Sequence, residues 1–289
     1  MIVEKTQFDS MQFKKIFLNK QAVIYRNQIK SWPAITKWKP EYFSDKCGSI
    51  PIVAKTFSDK NVHVQQMNMK EYVEMVNCFK AEHGENSDKI GPYCHDIPIF
   101  TLAKQLTEDI GKFPSEILPD WYAKNWSRYV QFFMSPKGSV TPLHYDTLIT
   151  NNLFFQIKGN KRFTILTYKN SKHCYRRGWR WFDVDPEKVD LNKYPQFKDA
   201  EVSSVEVNAG DMFYMPPGML HHVRSLNDCI SFNIDFHTLT SVLKSFLSIP
   251  KGMPKQNIYY NYLTLKALLN KSGGDQVFER YKNYLNYIS

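Results

Sequence analysis

The sequence predicts a mainly β protein with flanking helices, its strands closed into a double-sheet barrel or jelly roll. Three observations carry that expectation. From about Tyr129 to Phe236 the chain breaks into short runs of β-branched and aromatic residues, compact turn sequences separate those runs, and the segments on either side switch to helical spacing.

Ahead of the barrel, residues 1–128 read as a mixed α/β lead-in that packs on it. FDSMQFKKIFLNK has helical spacing, AVIYR is a short apolar strand, and NQIKSWPAITKW is a turn region punctuated by Trp32, Pro33 and Trp38. PIVAKTF and NVHVQQMNM follow as two strands, and KEYVEMVNCFKAEH as a helix. The barrel itself, residues 129–237, is written as RYVQFFMS, SVTPLHYD, NLFFQIKG, KRFTILTY, SSVEVNAGDMFYMP, HHVRSL and CISFNIDF, with PKG, KGNK, NAGD and PPG as turns. A long irregular insert, residues 170–200, interrupts these runs, and loops of that length usually carry a function.

Residues 238–289 return to helical spacing in TSVLKSFLSI, NIYYNYLTLKALLNK and DQVFERYKNYLNYI, the last opened by Asp275 as an N-cap after Gly273 and Gly274. Tyr259, Tyr262, Leu263, Leu265, Leu268 and Leu269 cover more of a helix surface than one core-facing stripe requires. A homodimer through these helices is one expectation, and packing on the chain's own barrel is the other.

Composition narrows the function classes. A hydrophobic share of 43% and an aromatic share of 15% over 289 residues exclude an unfolded chain. No stretch approaches the roughly 18 apolar residues of a membrane span, and the first residues lack a signal-type apolar core, so a soluble cytoplasmic protein without membrane contact is expected. Five scattered cysteines without a CxxC pair argue against both a disulfide framework and a thiolate zinc site. The net charge of +10 favours an anionic partner such as RNA, an acidic peptide or a small anionic co-substrate. In the insert, RRGWRW sets Arg176, Arg177 and Arg180 among Trp179 and Trp181, a mixture that suits RNA stacking or, on the preferred reading, aromatic closure of the barrel mouth.

The chemistry concentrates in TPLHYD. Alternate residues of a strand share a face, so His144 and Asp146 project together into whatever the barrel encloses. An imidazole beside a carboxylate makes two-thirds of the facial triad that holds ferrous iron with open coordination positions, and a distant strand must supply the third ligand. MLHHV offers His221 and His222; being adjacent they face opposite ways, and His221 is favoured. His63, His83, His95, His173 and His237 have no paired ligand at workable spacing and read as surface or packing residues.

With VIYRNQIKSWPAITKW, TPLHYD, QIKGNKRF, YPQF and VNAGDMFYMPPGMLHHV in that order, the chain resembles the JmjC/cupin-like Fe(II)- and 2-oxoglutarate-dependent oxygenases. The likeness is to the small hydroxylase branch that includes the asparaginyl hydroxylase of hypoxia-inducible factor and the tRNA wybutosine hydroxylase. The resemblance implies a double-stranded β-helix core, Fe(II) on His144, Asp146 and His221, and 2-oxoglutarate and dioxygen as co-substrates. It implies Lys161 as the partner of the far carboxylate of 2-oxoglutarate, helped by Thr141, with the amides of Asn152 and Asn233 near co-substrate and metal and Tyr93 as a further phenolic contact.

The activity it implies is hydroxylation of an amino-acid side chain in a protein or peptide. Hydroxylation of a modified tRNA nucleoside is the alternative, a non-catalytic cupin-like binding protein is a second, and demethylation of N-methyl-lysine ranks below these because no histone-reader module is recognisable. The chain departs from the branch between Asp146 and QIKG, which is longer here, in PPGML ahead of His221, and at Asp235 and Phe236, where the branch carries an aromatic pair. These departures surround the substrate side of the cavity and bear on substrate identity more than on chemistry.

Overall fold

A computed structural model describes residues 2–58, 61–84 and 89–270. Near its start, β1 (Ile2–Lys5) lies parallel to β2 (Ala22–Tyr25), and β3 (Pro51–Ser58) pairs antiparallel with β4 (Asn61–Asn68) ahead of β5 (Tyr93–Ile97). The central strands follow as β6 (Val130–Ser135), β7 (Val140–His144), β8 (Asn151–Lys158) and β9 (Lys161–Leu166). Within the insert come β10 (Arg176–Arg177) and β11 (Trp181–Phe182), then β12 (Ser203–Val207), β13 (Met212–Met215), β14 (Leu220–Ser225) and β15 (Cys229–Phe236).

They form two sheets, the jelly-roll arrangement the runs predicted. One has nine strands in the order β1-β2-β13-β8-β15-β6-β5-β3-β4, and the other has six in the order β10-β11-β7-β14-β9-β12. The lead-in strands extend the larger sheet at both of its ends, so that sheet is continuous with the barrel.

Both faces of the larger sheet are covered at its central strands β13, β8, β15 and β6, which explains why these are apolar runs without strict alternation. In the doublets of β6 and β8, Phe132 and Phe155 point outward into a large core with the N-terminal helices, while Phe133 and Phe154 point between the sheets. Trp32 stacks on Phe155 at 5.4 Å and Trp38 stands edge-on to Phe132 at 6.0 Å. The turn region carrying them is pinned by buried Asp109, which accepts hydrogen bonds from Lys37, the Trp38 indole and Tyr42. A third cluster, including Leu143, Tyr145, Phe182, Phe197 and Leu220, lies under the insert on the outer face of the smaller sheet.

Several elements differ from the sequence expectation. β1 and β5 were not legible as strands, because four or five residues give too short a pattern to show a period. The strand expected to run through Asp146 ends at His144, and a short 3-10 turn, Thr147–Ile149, begins directly afterwards. TSVLKSFLSI is α-helical only over Leu239–Ser245 and continues as a 3-10 helix to Lys251, Pro250 lacking the N–H that an α-helix needs. On the helix Lys255–Asn270, Leu263 is buried while Tyr262 and Leu269 are exposed; the helix expected from Asp275 lies outside the described residues. All five cysteines are free, and among the described residues no helix is long and apolar enough to cross a membrane.

Candidate active site

A cavity between the two sheets is lined by Tyr93, Thr141, His144, Asp146, Asn152, Lys161, His221 and Asn233, so every residue expected at the site borders one space. The local backbone explains how TPLHYD does this. Between the pairs His221↔His144 and Val223↔Thr141, β7 spends one residue more than β14, a bulge at Pro142–Leu143 where proline leaves no ladder N–H unused. The bulge resets the alternation, which lets Thr141 and His144 share the cavity face despite their odd spacing. Asp146 is past the strand end but still extended (φ −59°, ψ 141°), and the next turn holds Leu148 and Ile149 at φ 64° and 54°. A β-branched residue in the left-handed region is strained, and such strain beside a cluster of polar side chains is a mark of function.

The three side chains converge. Asp146 Oδ1 lies 3.4 Å from His221 Nε2 and 3.9 Å from His144 Nε2, and the two imidazole centroids are 4.2 Å apart. Two ligands about 2.1 Å from one ion and at right angles stand about 3 Å apart, so a small closure would seat a cation. The tautomers suit that use. His144 Nδ1 donates to the Pro142 carbonyl at 2.7 Å and His221 Nδ1 to the Met219 carbonyl at 3.1 Å, which turns both Nε2 atoms toward the carboxylate. Asp146 Oδ2 accepts from Asn152 Nδ2 at 3.1 Å, leaving Oδ1 for a metal. Burial and the neighbouring His221 hold His144 well below the usual imidazole range, in the neutral form a metal requires. For Asp146, burial pushes upward but His221 and Asn152 outweigh it and keep the carboxylate ionised.

Lys161 stands at the closed end of the cavity, just past the KGN turn, where Gly159 (φ +71°) reverses the chain. Its ammonium is 1% exposed, 2.7 Å from the Tyr93 hydroxyl and 3.0 Å from Ser231 Oγ, and ringed by Tyr93, Phe133 and Phe154 at 4.9 to 5.5 Å. Among the described residues no carboxylate pairs with it. Burial lowers its pKa to about 8. A buried cation without a counter-ion is costly, and the ligand chemistry that relieves it is an anion.

The insert closes one side of this space. Trp181 stacks on His144 at 4.8 Å, and Arg180, also on the cavity wall, lies over Trp181 at 4.3 Å. Arg176 packs above Phe182 at 4.7 Å and donates to the Trp179 carbonyl.

The adjacent His222 faces the opposite side of β14, where it forms a second group with Asp185 and Glu187 of the insert. There Glu187 is already bonded to Arg224 and has Arg162 3.8 Å away, and the Asp185 side chain is 41% exposed. Of the two histidines, His221 is the one that meets His144 and Asp146.

A model of the family described as "Cupin-like domain" matches residues 9–241. The chain belongs to the cupin-like domain family. JmjC proteins are among its relatives, in agreement with the resemblance read from the motifs. JmjC domain-containing protein D of Dictyostelium discoideum is 26% identical over 76% of this chain and 52% of its own length. The human bifunctional peptidase and (3S)-lysyl hydroxylase JMJD7 is 24% identical over 80% and 82%, and the chicken 2-oxoglutarate and iron-dependent oxygenase JMJD4 is 28% identical over 58% and 41%. The cupin-like chain thus spans about half the length of most of the curated relatives it matches, JMJD7 excepted.

Sequence reasoning missed part of the site. His95, read as a surface or packing residue, lines the cavity, as do Asp96 and Gln131, and Ser231 holds Lys161; Asp235, expected near the substrate side, lines it too. Ser231, Asn233 and Asp235 alternate along β15, a period-2 signal that was present in CISFNIDF. His95 and Asp96 gave no such signal, because they occupy a bulge. From Cys94↔Met134 to Ile97↔Phe132, β5 spends an extra residue, and Asp96 takes φ 61°.

Proposed function

We propose that this cupin-like chain is an Fe(II)/2-oxoglutarate-dependent dioxygenase that hydroxylates an amino-acid side chain of a protein or peptide. The observation that carries the reading is Lys161, a buried ammonium without a carboxylate partner, in one cavity with a two-histidine, one-carboxylate cluster. Such a cluster suits ferrous iron with open coordination positions, and the lone ammonium suits the far carboxylate of a dicarboxylic keto acid. When bound, iron supplies the redox chemistry that activates dioxygen, and 2-oxoglutarate supplies two electrons on oxidative decarboxylation to succinate.

The chain's own residues hold and shield. His144, Asp146 and His221 would hold the metal, with the Pro142 and Met219 carbonyls and the Asn152 amide fixing their orientation. Lys161 is in place for the far carboxylate, with Tyr93 and Ser231 on the ammonium and Thr141 on the adjoining wall. Phe133, Phe154 and Trp181 keep bulk water from the space. Asn152 and Asn233 each have a buried amide oxygen without a partner among the described residues, so both can accept from a bound water or ligand. A protein substrate is supported by the relatives named as a lysyl hydroxylase and as lysine-specific demethylases.

Anaerobic protein given Fe(II) and 2-oxoglutarate should develop a weak visible metal-to-ligand charge-transfer band that Asp146→Ala removes. A wild-type protein that never develops it and forms no succinate in air is a cupin-like binding protein and not an oxygenase. Peptides should stimulate succinate formation; stimulation by bulk tRNA alone would move the substrate to nucleic acid.

A further inference from the structure

Each of the two sheets ends in two edge strands, and the four edges are built differently. β1 is four residues long and carries Glu4, paired with Arg26; β10 is two arginines; β12 carries Glu206, paired with Arg162. Short length and charge are the usual means by which an edge avoids pairing with another chain. β4 has neither. It runs eight residues as NVHVQQMN, without Lys, Arg, Asp, Glu or Pro, and its ladder with β3 is unbroken from Pro51↔Asn68 to Ser58↔Asn61. Among the described residues no strand lies beyond it. In an antiparallel ladder alternate residues turn their N–H and C=O groups away from the partner, so every second residue of β4 presents its backbone outward.

The side chains of β4 continue the floor of the cavity. Residues directly opposite one another in a ladder share a face. Phe57, which lines the cavity, stands opposite Val62, and Lys55, which faces Tyr93 of β5 on one side, stands opposite Val64 on the other. Among the described residues β3 is the last strand of that sheet to line the cavity, so Val62 and Val64 extend the same face one strand further out, where they are 41% and 49% exposed. The opposite face of β4 shows His63 and Gln65 to water. The strand is therefore apolar only on the side that leads into the cavity.

That position decides what covers it. Strands lie about 4.8 Å apart, so a chain added to β4 would run about 19 Å from Gln131 on β6, a distance that about six extended residues span. A polypeptide held on β4 can therefore send one of its own residues past Phe57 and Trp181, whose rings are 6.2 Å apart, into the cavity. A second copy paired through its own β4 would satisfy the backbone and supply nothing to the space whose floor the valines extend.

The geometry points to β4 as a docking edge for a polypeptide substrate, a role that rests on the oxygenase reading of the cavity. An extended segment, about six residues from the residue to be oxidised, adds to the nine-stranded sheet as a tenth strand and lays its alternate side chains on Val62 and Val64. Main-chain hydrogen bonds supply the affinity, and the valines select β-branched or aromatic residues at every second position.

The test uses the full chain, anaerobic and loaded with Fe(II) and 2-oxoglutarate. The probe is an eight-residue peptide of alternating threonine and valine with a lysine at each end, and the control has proline in place of each valine. With the probe in excess, backbone amides of Asn61–Asn68 should exchange hydrogen at least about tenfold more slowly, and the control should leave them unchanged. Val62→Lys combined with Val64→Lys should remove the slowing, and a thermal melt reports whether the fold survives. In air, peptides that carry the threonine–valine segment six residues from each of the twenty amino acids in turn should include members that gain one oxygen as succinate forms. Proline in place of the valines of those members should raise KM at least about tenfold.

Unchanged exchange in a protein that shows the charge-transfer band overturns the docking edge and spares the oxygenase, as does equal KM with and without the valines or turnover of no member. Slow exchange already present without peptide, and growing with protein concentration, gives the edge to a second copy and overturns the docking edge too. Absence of the band in wild type overturns the oxygenase reading and with it the role of β4 in substrate binding.

Discussion

His221 and His222 are neighbours on β14, yet one joins His144 and Asp146 inside the barrel and the other meets Asp185 and Glu187 beneath the insert. Both groups have ligand chemistry and both histidines are buried, so residue type does not separate them. What separates them is the competition for each atom. Inside, both Nδ1 atoms are spent on backbone carbonyls and one carboxylate oxygen on an amide, so the unspent atoms face one another. Outside, Glu187 Oε2 is spent on Arg224 and its Oε1 faces Arg162 at 3.8 Å, while His222 Nδ1, unlike that of His221, has no hydrogen bond among the described residues to fix its ring. A metal site is a set of ligands whose other hydrogen bonds are already made, and an ion-pair network is the same chemistry with the cations supplied by the chain.

The contrast yields graded expectations. His144→Ala should have the largest effect, reducing Mn(II) affinity more than about a hundredfold in calorimetry, since a ligand is lost outright. If the ammonium serves the co-substrate and not the ion, as proposed, Lys161→Ala should weaken 2-oxoglutarate binding by about thirtyfold or more while Mn(II) still binds. Asn152→Ala, which frees Asp146 Oδ2, should cost about tenfold to a hundredfold in metal affinity and leave the fold intact.

Acidity gives a smaller effect with a definite sign. With Lys161 near 8, 2-oxoglutarate affinity should be flat below pH 8 and fall above it by up to about tenfold per unit, as binding then requires uptake of a proton. The ligand-free chain should show the opposite trend from this group. The unfolded lysine stays protonated to about pH 10.4, so this residue's contribution to stability rises as the pH goes from about 8 toward that value. Asp185→Asn should do least, leaving metal affinity unchanged within error, and a drop as large as that of Asn152→Ala would erase the distinction between the two groups.

Much of this was legible in sequence, for physical reasons that also mark where legibility stops. TPLHYD and MLHHV could be read because metal ligands are few in kind and strand alternation restricts which can meet. The same reasoning carried one wrong premise, that His144 and Asp146 share a strand; the strand ends at His144, and a turn with two left-handed residues completes the placement. Lys161 follows from a hairpin whose glycine is visible in KGNK, whereas its isolation from every carboxylate is a long-range fact that no local pattern encodes. His95, Asp96 and Lys55 were invisible for the same reason, since β3 and β5 meet across 40 residues and a bulge removes the period that would have flagged them.

The most direct test compares two single substitutions of adjacent residues. Folded His221→Ala and His222→Ala proteins, each equilibrated with one Mn(II) per chain, should differ completely in bound metal after gel filtration. The account predicts about one ion retained by His222→Ala, as by wild type, and none by His221→Ala. Retention by His221→Ala with loss from His222→Ala would place the ion beneath the insert and contradict it.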